Sequence, residues 1–146
     1  MKTLTREAIK DVYTFFERSV KVDLSIFSMP HKTDMKSVAD IFQRTSHIPL
    51  GIFCNGDLIG YALIRLFFPK KGSYAIFVAQ DWQGKGIGTA ALEKELALIR
   101  NLGFTPFSAV CKKNIKSLRM LDKLGIEFID DIGDYFEVKD RKKTDI

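Results

Sequence analysis

A glycine-rich segment in the middle of the chain has the residue types and spacing to bind a charged ligand. Residues 83–89 read Gln-Gly-Lys-Gly-Ile-Gly-Thr, and they stand between an apolar run at 74–79 and a helix-like run at 90–99. The first turn of a helix has backbone N–H groups without partners, and glycines let a phosphate approach them closely. The order of strand, glycine loop and helix therefore predicts a site for a phosphate-bearing ligand.

The spacing of the glycines excludes two common phosphate-binding loops. A Walker loop requires Gly-Lys followed by Ser or Thr, but Gly84 and Lys85 are followed by Gly86. A dinucleotide fingerprint requires Gly-x-Gly-x-x-Gly. Counted from Gly84 its last place is Thr89, and counted from Gly86 it is Ala91. We therefore expect neither ATP, GTP nor a dinucleotide to bind through such a loop.

The remaining spacing, Gln-x-x-Gly-x-Gly, resembles the acetyl-CoA loop of the GNAT superfamily of N-acetyltransferases. It is carried by Gln83, Gly86 and Gly88. Family members commonly have a second block, in which a strand is followed by Asn-x-x-Ala/Ser and then by a short helix ending in Lys-x-Gly. The residues at the matching places are Asn114, Ser117, Lys123 and Gly125. The resemblance covers residues 51–139.

The resemblance implies that acetyl-CoA is a cosubstrate and assigns residues to it. Its pantetheine arm would take hydrogen bonds from the backbone of one strand, and Asn114 would contact the arm directly or through water. Ser117 would reach the adenosine end. The strand residues are Ile76, Phe77 and Val78, and the pyrophosphate would lie on the N–H groups of Gln83, Gly84, Lys85, Gly86, Ile87, Gly88 and Thr89. The implied reaction is direct transfer of an acetyl group to a primary amine in a ternary complex.

One residue of the family pattern is missing. Many members place a Tyr four residues before the Gly of Lys-x-Gly, where it protonates the departing thiolate, and this position is Leu121 here. Tyr74 is the titratable side chain on the predicted strand, and alternation places it on one face with Ile76 and Val78. Tyr74 is therefore the candidate catalytic residue, as an acid or by ordering a water. Its other interpretation is core packing or substrate stacking.

A general base is harder to assign. The predicted strand contains no carboxylate and no imidazole. His31 and His47 belong to the segment that walls the substrate cleft in the resembling family, although a surface position is more common for such histidines. Asp23 and Glu137 are further candidates, and the pattern does not rank them.

Composition predicts one domain over residues 1–146, with a charged tail at 139–146. A chain of 146 residues with 46% hydrophobic residues can bury a sizeable core. Its start has no signal-like apolar stretch, and no run approaches membrane-spanning length. Cys54 and Cys111 lack metal-ligand spacing, and we interpret them as reduced packing residues. We therefore expect a cytoplasmic protein without a metal site or membrane association.

The net charge of +5 suits anionic ligands in general. The basic residues form scattered pairs rather than a stripe interleaved with aromatics, so a nucleic-acid partner is not expected. The expected partner is a small-molecule or protein amine, and the residues leave a protein N-terminus, an amino sugar and a polyamine open. Members of the resembling family often form homodimers. The alternative is a catalytically silent acyl-CoA-binding regulatory protein, which the missing Tyr and the unassigned base favour.

The elements alternate in a way that indicates an α+β fold. The sequence Asn55-Gly56-Asp57 predicts a tight hairpin turn. Helices are predicted at 5–20 (with Thr5 as a cap), at 35–44, after the glycine loop as far as Asn101 and at 115–124, and strands at 50–54, 58–64, 73–79, 107–112, 127–129 and 135–138. The resemblance implies a mixed, mostly antiparallel central sheet of six to seven strands flanked by helices, with a parallel splayed strand pair. Its first strand would have to come from the short segment 2–4.

Overall fold

The computed structural model describes residues 1–20 and 30–140. The candidate base Asp23 and the end of the charged tail lie outside these ranges. The strands are β1 (Lys2–Thr3), β2 (His47–Cys54), β3 (Asp57–Phe67), β4 (Lys71–Val78), β5 (Thr105–Cys111), β6 (Ile126–Asp131) and β7 (Tyr135–Asp140). The helices are α1 (Ile9–Arg18), α2 (Met35–Ile41), α3 (Ile87–Asn101) and α4 (Ile115–Lys123).

The described strands form one sheet in the order β1-β2-β3-β4-β5-β7-β6. The neighbours β4 and β5 are parallel, and the other neighbouring strands are antiparallel. The expected α+β class, with a mostly antiparallel sheet and one parallel pair, is confirmed. The short first strand is also present, because Lys2 and Thr3 pair with Gly51 and Leu50 of β2.

The sequence Asn55-Gly56-Asp57 correctly predicted the hairpin turn between β2 and β3. Asn55 and Gly56 have φ angles of 50° and 86°, which is the left-handed pair that a tight hairpin turn requires. The turn fixes the register, so that Ile64 and Tyr61 of β3 face opposite sides of the sheet. Because each side must be covered, the chain places helices on both.

One side of the sheet, the α3 face, is covered by α3 and α4. Its core contains Ile64 and Tyr74 from the strands, packed with Leu92, Leu96, Ile99 and Leu121 from the helices. Leu92, Leu96 and Ile99 form the apolar stripe of α3, and all three are buried. The other side, the α1 face, carries Tyr61 and Phe77 and is covered by α1 and α2.

The two N-terminal helices are shorter than the sequence predicted. Thr5 makes no side-chain capping hydrogen bond, so its prediction as a cap was wrong. Its carbonyl instead accepts the N–H of Ala8 at 2.9 Å and closes a 3₁₀ turn before α1. Helix α2 is capped by Asp34 and ends at Ile41 rather than at 44, because the chain tightens there into i to i+3 bonds.

Glu95 is buried in the core beneath the sheet, at a position of α3 that packing would assign to an apolar residue. Its side chain is 0% exposed. Among the described residues, neither carboxyl oxygen has a hydrogen-bond partner. Burial raises the pKa of Glu95 well above its usual value, and the nearby N–H of Ala75 opposes this only in part. The apolar surroundings therefore favour the protonated, neutral form of the carboxyl group.

This burial makes the stability depend on pH. The unfolded chain loses the Glu95 proton first, near pH 4.5, while the folded chain retains it. The unfolded state then binds fewer protons, so the free energy of unfolding falls as pH rises above that value, by up to about 1.4 kcal/mol per pH unit. We expect the free energy of unfolding of Glu95→Gln to lack this decrease with rising pH.

Urea unfolding of the wild type and of Glu95→Gln between about pH 5 and pH 8 measures the difference. Glu93→Gln is the matched control, because Glu93 lies on the same helix and is exposed. Identical pH profiles for the wild type and Glu95→Gln would show that this carboxyl group ionises normally in the folded chain.

Candidate active site

The parallel strands β4 and β5 stay paired for only part of their length. Lys71, Gly72 and Ser73 pair with Thr105, Pro106 and Phe107, and the register ends there. Strand β4 continues to Val78 and remains paired with β3, whereas β5 continues in its pairing with β7. The edge of β4 from residue 74 onward is thus left without a strand neighbour. An extended ligand can hydrogen-bond such an edge.

The divergence of the two strands opens a cleft of about 380 Å³. Tyr74 and Ile76 line it from the α3 face, whereas Ser73 and Ala75 line it from the α1 face. The lining of the cleft therefore comes from both faces of the sheet. Its lining also includes Leu92, Phe107, Cys111, Asn114, Ser117, Met120 and Leu121.

The glycine loop lies directly beyond the unpaired edge of β4. The side-chain amide of Gln83 donates to the carbonyl of Val78 at 3.1 Å and holds the loop against the end of the strand. Gly84 and Gly86 have φ angles of 76° and 81°, and a Cβ on either would have no atom within 4 Å. Only glycine adopts these angles without strain, so the predicted importance of the glycines has a conformational basis.

The loop presents backbone donors at the start of α3. Gly86 is the N-cap and has no side chain with which to cap the helix. Within the described ranges no acceptor bonds the N–H groups of residues 84–89. These donors and the positive end of the helix dipole point to one exposed place. The geometry fits the predicted binding of a phosphate group, to which the exposed Lys85 would add charge.

The two residues predicted to matter for proton transfer lie on the same wall. Tyr74 and Leu121 both line the cleft from the α3 face, with 8% and 1% of their surface exposed. A phenol therefore lies on the wall of the cleft even though the usual Tyr position holds a Leu. Both Tyr74 and Leu121 are also part of the core, as the alternative interpretation of Tyr74 expected.

Asn114 and Ser117 also line the cleft, at the start of α4. The side-chain oxygen of Asn114 accepts the N–H of Ser117 at 3.3 Å, so Asn114 is the cap of this helix. Its amide nitrogen is left to face a ligand. The side chain of Phe77, by contrast, packs on the α1 face, so only its backbone can serve the cleft.

On the α1 face the cleft meets a wider hollow of about 1160 Å³, which we call the basin. Pro30, Arg65 and Phe67 line both. The basin is otherwise rich in charged and titratable side chains, including His31, Lys32, Asp34, Lys36, Asp40, Arg44 and His47. Glu137 lines neither hollow. The basin is the larger approach to the cleft.

The two histidines line the basin and are partly buried. Burial lowers the pKa of both, and the charge of Arg65 adds to this effect. Nδ1 of His31 donates to the carbonyl of Lys32 at 2.7 Å, so Nε2 accepts the hydroxyl of Tyr61 at 3.0 Å. The lone pair of His31 is therefore already engaged, which argues against His31 as a base.

Sequence reasoning missed Arg65, which lines both hollows, and Leu92 and Met120, which line the cleft. The one available signal was Arg65 itself. A charged residue interrupts an otherwise apolar strand there, and an unexplained charge on a half-buried strand deserves a functional hypothesis.

The described residues contain neither a metal-binding cluster nor a membrane-spanning helix. No group of three or more His, Cys, Asp or Glu side chains is placed to hold a metal ion. No helix in those ranges is both long and apolar enough to cross a membrane.

Comparison with known proteins agrees with the cleft and the loop. Residues 10–126 match the acetyltransferase (GNAT) family. The spermine/spermidine N(1)-acetyltransferase of Bacillus subtilis (strain 168) is 29% identical over 93 residues, covering 55% of this chain and 59% of that relative. The chain thus spans only about 59% of the length of the curated relatives that it matches.

Solved structures share the fold at low identity. The PaiA N-acetyltransferase from Thermoplasma acidophilum, in complex with coenzyme A, superposes with a TM-score of 0.78 at 18% identity over 94% of both chains. The aminoglycoside acetyltransferase AAC(6')-Ib, in complex with coenzyme A and kanamycin, gives 0.74 at 18% identity over 97% of this chain and 94% of that one.

The glycine loop can be tested with one pair of variants. A glutamate at position 86 would place a carboxylate beside the phosphate, where like charges at about 4 Å cost roughly 4 kcal/mol near a protein surface. We expect Gly86→Glu to weaken the binding of coenzyme A by about a hundredfold or more, measured by calorimetric titration.

Gly103→Glu is the control. Gly103 has a φ of 87° and equally open space, so its substitution carries the same backbone strain at the other end of α3. Equal binding by Gly86→Glu and the control would exclude the loop as the phosphate site.

Proposed function

The chain belongs to the acetyltransferase (GNAT) family, and from this premise we propose that it transfers the acetyl group of acetyl-CoA to a primary amine. The observation that supports this proposal is that the glycine loop and the unpaired edge of β4 adjoin each other. The glycine loop with its unbonded N–H groups adjoins, at Val78, the unpaired edge of β4. A ligand with a pyrophosphate at one end and an extended amide-containing arm fits both features at once.

In this proposal the pyrophosphate lies on the N–H groups of residues 84–89. The N–H of Gln83, which the sequence also assigned to the pyrophosphate, already donates to the carbonyl of Gln80 at 3.3 Å. The pantetheine arm runs along the unpaired edge of β4 beside Ile76, Phe77 and Val78, where it replaces the missing strand. Asn114 and Ser117, at the start of α4, contact the arm and the adenosine end. The thioester then lies inside the cleft, where backbone N–H groups of β4 polarise its carbonyl.

Transfer is proposed to be direct, in a ternary complex. Because residues from both faces of the sheet line the cleft, the coenzyme enters from the α3 face and the amine from the basin. The amine nitrogen attacks the thioester carbon, and the tetrahedral intermediate collapses with loss of the thiolate, which leaves with the C–S electron pair. The nitrogen releases one proton to water as it becomes the amide nitrogen. No covalent acyl-enzyme is required.

Tyr74 is our proposed donor of the proton that the thiolate takes up. A phenol is protonated at neutral pH, and Tyr74 lines the same wall as Leu121, which holds the position of the usual acid. The described lining of the cleft contains no carboxylate and no imidazole. The amine therefore has to enter the cleft unprotonated or lose its proton to water.

The first experiment is calorimetric titration with acetyl-CoA, beside ATP and NAD as controls. We expect binding of acetyl-CoA alone, followed by turnover with amines and intersecting initial-velocity patterns. Binding without turnover across a broad amine panel would favour the alternative of a silent acyl-CoA-binding regulatory protein. No binding of acetyl-CoA would overturn the proposed function.

A second experiment tests the proton donor. We expect Tyr74→Phe to lower kcat on the order of 10²-fold, because general acid catalysis contributes at least that much. Adding Leu121→Tyr to that variant should restore part of the rate by returning a phenol to the usual position.

Leu121→Phe in the same background is the matched control, since it has the ring without the hydroxyl. Equal rates for the Tyr and Phe variants at position 121, or an unchanged kcat for Tyr74→Phe, would remove the phenol from the mechanism.

The relatives named above act on polyamines and aminoglycosides, and we propose a small-molecule amine as the acceptor. A cytoplasmic location also remains a proposal, for which Cys54 and Cys111 would be reduced packing residues, as the sequence suggested. Assembly as a homodimer remains a prediction from the family resemblance.

A further inference from the structure

Arg65 lies where the cleft and the basin meet. It is directly opposite Ser73 of β4 on one side and His47 of β2 on the other. It is one of the residues that line both hollows. Ser73 is the last β4 residue paired with β5, so the guanidinium group lies next to the point where the cleft opens. An acceptor that reaches the thioester from the basin passes this group.

The guanidinium group of Arg65 has no anionic partner among the described residues. It is half-buried, and its recorded contact is a position over the ring of Phe67, 5.7 Å from the centroid. A partly desolvated cation without a carboxylate is costly unless a ligand supplies one. The group nevertheless stays charged, because an arginine does not lose its proton in proteins.

The carboxylates of the basin are engaged by other residues of the same hollow. Asp34 accepts the hydroxyl of Ser37 at 2.6 Å, and Asp40 accepts Arg44 at 2.8 Å. Lys32, Lys36 and Arg65 remain without a described carboxylate partner in this hollow. The undescribed residues 21–29 contain one lysine and one aspartate, so they leave the balance of formal charge unchanged. The basin is therefore a positive surface.

A positive surface beside the cleft has two effects on an acceptor. It disfavours molecules with several ammonium groups, such as polyamines, through repulsion between like charges. It also favours the unprotonated form of an amine held nearby, which is the form that attacks a thioester. A planar guanidinium group binds a carboxylate or phosphate through two parallel hydrogen bonds. An amine that carries an anionic group satisfies all these conditions.

We propose that the acceptor is an amine bearing a carboxylate or phosphate-type group, held by Arg65 so that the amine faces the cleft. This inference rests on the proposed acetyltransferase function and narrows its substrate class. It separates this chain from the relatives that act on spermine and spermidine. Arg65 acts on specificity and position, not on the bonds that form and break.

The substrate test compares matched acceptors in the presence of acetyl-CoA. Glycine, β-alanine and γ-aminobutyrate are each paired with the corresponding amide, which has the same size without the charge. Aminoethylphosphonate tests a phosphate-type anion, and spermidine tests a polycation. We expect kcat/KM for the better carboxylate or phosphonate acceptors to exceed that of their neutral partners and of spermidine by at least about tenfold.

The variant test removes the guanidinium group. Arg65→Gln should lower kcat/KM for the anionic acceptors by about tenfold to a hundredfold and leave that for the amides unchanged, with Arg65→Lys between them. Arg18→Gln is the matched control, because Arg18 is exposed on α1 and lines neither hollow. Binding of coenzyme A, measured for each variant, shows that the fold is intact.

The outcomes separate this inference from the proposed function. Efficient acetylation of spermidine or of neutral amines, without preference for an anion, would overturn the inference but leave the proposed acetyltransferase function intact. The inference would also be overturned if the protein bound acetyl-CoA but acetylated none of the anionic amines. Equal losses for anionic and neutral acceptors in Arg65→Gln would assign Arg65 a structural role. Failure to bind acetyl-CoA at all would instead overturn the function itself.

Discussion

The loss of hydrogen bonding between β4 and β5 after the pair Ser73–Phe107 is the constraint on which the rest of the site depends. It creates the cleft, whose lining comes from both faces of the sheet, and it leaves one edge of β4 open. The structure tolerates this gap because β3 and β7 hold the diverging strands on their outer sides. Helices on both faces close the core around it. The proposed reaction thus takes place where the sheet is incomplete.

Local signals in the sequence were sufficient for much of the fold. Asn55-Gly56 specified a hairpin because few residues adopt left-handed angles, and the glycine loop specified a helix start because its spacing leaves donors exposed. The resemblance supplied the mostly antiparallel sheet with its one parallel pair, which no local signal contains. The helix cap predicted at Thr5 was wrong, because the backbone carbonyl of Thr5, and not its side chain, accepts the N–H of Ala8.

The rest of the candidate site could not be predicted because it depends on residues far apart in the sequence. His31 is engaged by Tyr61, thirty positions away, and this pairing is what argues against it as a base. Glu95 looks like a solvated helix residue until the sheet covers it. The functional interpretation of Arg65 depends on the basin, which residues of α2 and β2 line beside it. Alternation predicts which residues share a face, but not which element covers that face.

The open edge of β4 also affects the protein as a folded object. A ligand that occupies the gap adds hydrogen bonds to the native chain and none to the unfolded chain, so the free energy of unfolding rises with the concentration of free ligand. Proteases act on the opened chain, and a smaller opened population slows degradation. If acetyl-CoA is the molecule that completes this sheet, the amount of the protein in a cell follows the metabolic supply of its own cosubstrate.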